Sequence, residues 1–76
     1  MMGITFDKFT DFVCSRYGVE REEAIKIDSF ENLGFDSLTL YTIIGEVEKE
    51  FHVIIDTDDI TEINTLSSMY RYVTKY

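Results

Sequence analysis

Between residues 37 and 51 the side chains of Leu40, Ile43, Ile44, Val47 and Phe51 fall on one stripe at helical spacing. A helix with such a stripe must bury it against other elements, and the rest of the chain offers further helices to do so. Phe6, Phe9, Phe12, Val13 and Tyr17 repeat the spacing behind Thr5. Thr5 is a suitable N-cap, and Asp7 lies in the first turn, where the helix dipole favours an acid. Gly18 is the stop signal, able to take the left-handed conformation, with Val19 folding back onto the last turn. Near the end of the chain, Thr65 caps a third periodic run whose stripe is Leu66, Met69, Tyr70 and Val73.

The segments between these helices are less regular. Residues 20–36 form a long connection, yet Ile25, Ile27, Phe30 and Leu33 are too many apolar residues for a free loop. They read as anchors of an ordered excursion, with a short helical turn over residues 22–25. Asp28-Ser29 is polar turn material, and Gly34 permits a backbone turn that other residues avoid. Val53-Ile54-Ile55 has strand composition, but no second strand exists to pair with it, so it reads as an extended link. Asp56-Thr57-Asp58-Asp59 then opens a short helix through Ile60 and Ile63. Residues 1–3 read as a frayed start. The expected fold is all-α, a small four-helix bundle of three main helices and one short one, with residues 1–76 as a single domain.

Charge narrows the partners. The formal net charge is −8, with acids clustered over residues 20–36 and again over residues 56–62. Such a surface repels phosphate backbones, which argues against nucleic acid, and it attracts basic patches on other proteins. It also serves plain solubility. With a single cysteine, Cys14, no intramolecular disulfide forms. No apolar run is long enough to span a membrane and no basic leader precedes the first helix, so the expectation is a cytoplasmic monomer. A catalytic serine finds no base. The sole histidine, His52, lies about 22 Å along a continuous helix from Ser37. The acids from Asp56 onward do not form a calcium loop, because the turn glycine is absent and Ser67 stands where the closing glutamate belongs. Neither a catalytic nor a metal site is expected.

One string remains, Leu33-Gly34-Phe35-Asp36-Ser37-Leu38, a glycine-closed loop that delivers a serine to the start of a helix. Taken alone, Asp36 or Ser37 is simply a favoured cap. In this frame the string resembles the signature of the acyl carrier protein family, which includes the peptidyl carrier proteins. The resemblance covers nearly the whole chain, from the Gly18-Val19 helix stop to the Asn64-Thr65-Leu66 lead-in of the last helix.

It implies that Ser37 carries a covalent 4′-phosphopantetheine arm taken from coenzyme A, with Asp36 and Leu38 flanking the attachment point. Asp36 would help the modifying phosphopantetheinyl transferase. The chain would be a non-catalytic, free-standing carrier, loaded by an acyl- or aminoacyl-transferring enzyme and read by downstream synthases. A second line on the same helix, Leu38, Tyr41, Gly45 and Glu48, is too exposed for core and apolar at its front. It is the expected docking face for partner enzymes, although scattered surface hydrophobes are common. Thr39 and Thr42 are neutral, Gly45 takes a place often filled by a large apolar residue, Lys49 is basic, and Ile55-Asp56 replaces the usual proline. These departures from carriers of bulk fatty acid synthesis point to a specialised pathway, polyketide, nonribosomal peptide or related. The competing class is a carrier-like interaction module that is never modified.

Overall fold

The computed structural model describes residues 4–75, so the reading of residues 1–3 lies outside the described residues. Helix α1 (Phe6–Tyr17) starts and stops at the expected signals. Thr5 Oγ1 accepts the Lys8 N–H at 3.1 Å, and Gly18 ends the helix at φ 68°. A Cβ at Gly18 would meet nothing within 4 Å, so glycine is needed there for its backbone angle and not for space. Helix α2 (Arg21–Ile27) is longer than the turn expected over residues 22–25. Tertiary contacts extend it, as they do for most short helices. Ala24 is buried, and the Arg21 guanidinium pairs with Asp7 and, at 3.4 Å, with Asp11, both on α1.

Helix α3 (Ser37–Phe51) spans the expected run and ends at His52, which takes the left-handed conformation at φ 58°. The extended link follows. Ile55 is buried within it while Ile54 is exposed, and the Ile55 N–H donates to Glu48 Oε2 at 2.7 Å. The short helix after Asp56 is a 3-10 helix (Thr57–Glu62) with no buried residue of its own. Helix α4 (Leu66–Thr74) opens with a capping box between Thr65 and Ser68. Among the described residues there is no strand, only an isolated bridge between Ser29 and Thr65. The all-α bundle is the expected architecture.

Phe9 and Val13 of α1 meet Ile43, Ile44 and Val47 of α3 and Leu66, Met69 and Val73 of α4 in one core, joined by Phe30 and Ile63. Aromatic contacts fix α1 to its neighbours. Phe12 packs edge-on to Phe51 at 5.3 Å and Phe6 edge-on to Tyr70 at 5.2 Å. In α4 the sequence stripe overlooked Tyr72. Tyr70 is half-buried, whereas Tyr72 is buried and its hydroxyl donates to Asp59 Oδ2 at 2.7 Å. That hydroxyl also accepts the Asp56 N–H at 3.2 Å, so one phenol secures both ends of the 3-10 segment's first turn.

Two polar groups of α1 lie inside. Cys14 is buried, and its thiol is pushed up by desolvation first and by Asp11 second, with Arg21 opposing. Thr10 is fully buried and its hydroxyl has no hydrogen-bond partner among the described residues. An unpaired buried hydroxyl is a cost. Thr10→Val keeps the shape and is expected to stabilise the fold by about 1 kcal/mol, measured as a higher urea midpoint at unchanged slope.

The excursion between α2 and α3 is latched to the start of α4. Asp28, at φ 64°, accepts hydrogen bonds from the Ser67 N–H and the Ser67 hydroxyl on Oδ1, both at 2.9 Å. Its carbonyl accepts the Leu66 N–H at 2.8 Å, and the Phe30 N–H donates to the Asn64 carbonyl at 3.1 Å. The Asp28-Ser29 pair is thus more than turn material, because it crosses to a segment distant in sequence. This latch fixes where the loop delivers Ser37.

Candidate functional site

Backbone bonds wind residues 29–35 tightly, with Leu33 N–H on the Ser29 carbonyl at 3.0 Å and Phe35 N–H on the Phe30 carbonyl at 2.9 Å. Gly34 stands at φ 90° in this turn, an angle that strains any L side chain. The chain leaves the turn extended at Asp36, and α3 begins at Ser37. Ser37 is exposed, and its hydroxyl makes no hydrogen bond among the described residues. It therefore stands free for chemistry at the first residue of a 15-residue helix, where unpaired N–H groups and the dipole favour an attached anion.

Asp36 is the N-cap, its Oδ1 accepting the Thr39 N–H at 2.8 Å. The cap role weighed from sequence is real, and it leaves the carboxylate exposed beside Ser37. That N–H first, and the Thr39 side chain second, hold the Asp36 carboxyl below the usual aspartate range. Because the folded-state value is depressed, the cap's contribution is complete above the unfolded value, about 3.9. It is lost as pH falls through the lower folded value. The Thr39 amide resonance is expected to move with that acid titration, and in Asp36→Asn to stay still over the same range.

The other expected residues sort differently. Leu38 is 76% and Tyr41 55% exposed, so both face outward close to the serine. Gly45 is exposed on the same helix, with open space where a Cβ would stand. Glu48 is half-buried and holds the Ile55 N–H, so its carboxylate is engaged within the fold instead of being offered to solvent.

Beside Ser37 lies an open groove of about 560 Å³. Phe30, Phe35 and Leu40 form its apolar side, and Glu31, Asp36 and Asn64 its polar rim. Sequence reading placed Phe30 as an anchor and Asn64 as a helix lead-in, and neither Phe35 nor Asn64 as a groove residue. The available signal was a phenylalanine between the glycine and aspartate of the motif, a large apolar side chain beside an exposed serine. No group of side chains able to hold a metal occurs among the described residues. No helix among them is long and apolar enough to cross a membrane.

Residues 7–73 match the family described as "Phosphopantetheine attachment site". Among similar curated proteins are the acyl carrier proteins of Lactococcus lactis subsp. cremoris strain MG1363 and of Lactococcus lactis subsp. lactis strain IL1403. Each is 38% identical over 68 residues, which cover 90% of this chain and 90% of the relative. An exposed serine hydroxyl with no hydrogen-bond partner among the described residues, at a helix start beside an open groove, fits the group such proteins carry. A phosphopantetheinyl transferase and acyl-handling enzymes are the partners that go with it. The chain belongs to the acyl carrier protein family, non-catalytic carriers whose covalent cofactor is 4′-phosphopantetheine.

Proposed function

We propose that Ser37 is the attachment point, and that residues 1–76 act as one monomeric carrier unit working in the cytoplasm. The supporting observation is the free Ser37 hydroxyl at the first turn of α3, next to the exposed Asp36. In the loading step the Ser37 Oγ attacks the phosphorus that bears the pantetheine of coenzyme A. A new P–O bond forms, the bond to the nucleotide phosphate breaks, adenosine 3′,5′-bisphosphate leaves, and the serine proton passes to a base on the transferase. When bound, the arm supplies a terminal thiol that holds an acyl or aminoacyl group as a thioester. Asp36, capped onto Thr39, presents its carboxylate at a fixed place for the transferase's magnesium and basic residues.

The pathway is proposed to be a specialised one, polyketide, nonribosomal peptide or related. Neutral Thr39 and Thr42, open Gly45 and basic Lys49 dilute the acidic face of α3, which weakens attraction to generic basic docking sites. Leu38 and Tyr41 then carry partner contact through apolar area. Tyr41→Ala is expected to raise the partner enzyme's KM about tenfold with thermal stability unchanged. An unaltered KM would remove Tyr41 from the docking face.

The test of the carrier reading is intact mass after incubation with coenzyme A, magnesium and a broad-specificity phosphopantetheinyl transferase. A gain of one phosphopantetheinyl group, mapped by peptide fragmentation to Ser37, is the expected result. A folded chain that gains nothing from several transferases would favour an unmodified interaction module.

A further inference from the structure

Only Asp36 separates Phe35 from Ser37, so whatever holds Phe35 and α3 decides where the serine hydroxyl stands. Tyr17, the last residue of α1, touches both. Its ring packs against Phe35 with centroids 5.5 Å apart, and its hydroxyl donates to Glu46 Oε1 on α3 at 3.3 Å. Phe35 also stacks on buried Phe30, at 5.7 Å with planes 21° from parallel. The Phe35 ring is thus held by α1 as well as by the core residue of its own loop.

The contact with α3 is secured in turn. Arg16 Nε lies 3.6 Å from the same Glu46 oxygen, and the Arg16 guanidinium sits over the Phe12 ring, 4.5 Å from its centroid. Burial first, and the Glu46 charge second, push the Tyr17 phenol above its ordinary range, so it keeps its proton and remains a donor. Gly18 closes α1 directly behind it, its N–H on the Cys14 carbonyl, so the tyrosine stands at a capped helix end. One side chain of α1 therefore bridges the junction. It reaches the loop two residues before Ser37 and α3 nine residues after it.

We infer that Tyr17 is a positioning residue for the loading of Ser37. By holding Phe35 and Glu46 in fixed relation, it presents the serine hydroxyl and the Asp36 carboxylate to the transferase in one arrangement. The inference rests on Ser37 bearing the arm, and adds a residue distant in sequence that sets how fast the arm is accepted. Attack on phosphorus needs the oxygen in line with the leaving group, and a misplacement of about 1 Å can cost about 100-fold in rate. Leu38 and Tyr41 face outward from α3, whereas Tyr17 lies behind the junction. Tyr17 therefore acts on the rate of transfer and leaves the affinity for the transferase alone.

The experiment loads the whole chain from coenzyme A and magnesium with a broad-specificity phosphopantetheinyl transferase in excess, and follows a single turnover by intact mass. The limiting rate reports presentation of the serine, and the half-saturating transferase concentration reports docking. Tyr17→Leu keeps apolar bulk but loses the ring and the hydroxyl. It is expected to lower the limiting rate about tenfold, with half-saturation unchanged within about twofold. Tyr17→Phe keeps the ring on Phe35 and should stay within about threefold of the parent rate. Phe6→Leu controls for general weakening, since it removes the edge-on contact with Tyr70 at the opposite end of α1. It should unfold at lower urea yet load at the parent rate, every variant being assayed where its urea curve shows it folded. A parent rate in Tyr17→Leu, an effect confined to half-saturation, or an equal fall in Phe6→Leu overturns the positioning role and leaves the carrier role intact. A Tyr17→Phe variant as slow as Tyr17→Leu overturns the route through Phe35. A parent that gains no mass, or whose added group maps away from Ser37, overturns the Ser37 assignment and this inference together.

Discussion

Ser37→Ala is expected to abolish loading completely while leaving the fold as it is. The serine is exposed and its hydroxyl bonds to no described residue, so truncation removes no structural contact. Alanine is at least as good a helix former as serine, and the cap on α3 belongs to Asp36. The urea midpoint should therefore correspond to a change within about 0.5 kcal/mol, as for other surface substitutions. Intact mass should show no added group under conditions that convert the parent fully. Thr39 and Thr42 lie close by on α3 but the Thr42 hydroxyl is committed to the Leu38 carbonyl at 3.0 Å. A mass gain that survives Ser37→Ala would place the arm on another hydroxyl and end the assignment.

The largest loss of stability from a single substitution outside the core is expected at Asp28. Two hydrogen bonds from Ser67 converge on one of its oxygens, in a half-buried setting. Bonds to a charged group contribute about 1.5–3 kcal/mol each, and two that share an atom do not add fully. Asp28→Ala also keeps a side chain at φ 64°, where alanine is disfavoured. The combined loss should be about 3 kcal/mol, against a total of roughly 4–11 kcal/mol for a domain of this size. Asp28→Asn keeps an acceptor oxygen and should cost about 1 kcal/mol. Because the latch holds the loop that ends at Ser37, amide exchange over residues 29–36 should rise more than exchange in α1. An Asp28→Ala variant as stable as Asp28→Asn would show that the Ser67 bonds contribute nothing net.

Much of this was written in the chain. Thr5, Gly18 and Thr65 act where their chemistry places them, because caps and stops depend on a few neighbouring residues. The stripe Ile43, Ile44 and Val47 is buried as its spacing requires. The extent of α2 was not legible, since Arg21 and Ala24 act through partners on α1 and in the core. Tyr72 was missed because its burial depends on Asp56 and Asp59 meeting its hydroxyl, a pairing that no periodicity reports. At the site, Asp36, Ser37 and Leu38 were visible as a string. The groove was not, because Phe30, Phe35 and Asn64 come together only once the Asp28 latch is closed.

The buried Cys14 has a practical consequence. Packed in α1 with its proton held more firmly than in a free cysteine, it is a poor nucleophile under native conditions. A carrier with its arm in place would then have two sulfhydryl groups of opposite character, one locked in the interior and one at the tip of a tether. Maleimides and disulfide reagents would mark the tip alone, and a single dye could follow the arm's travel between enzymes with no engineered cysteine-free background.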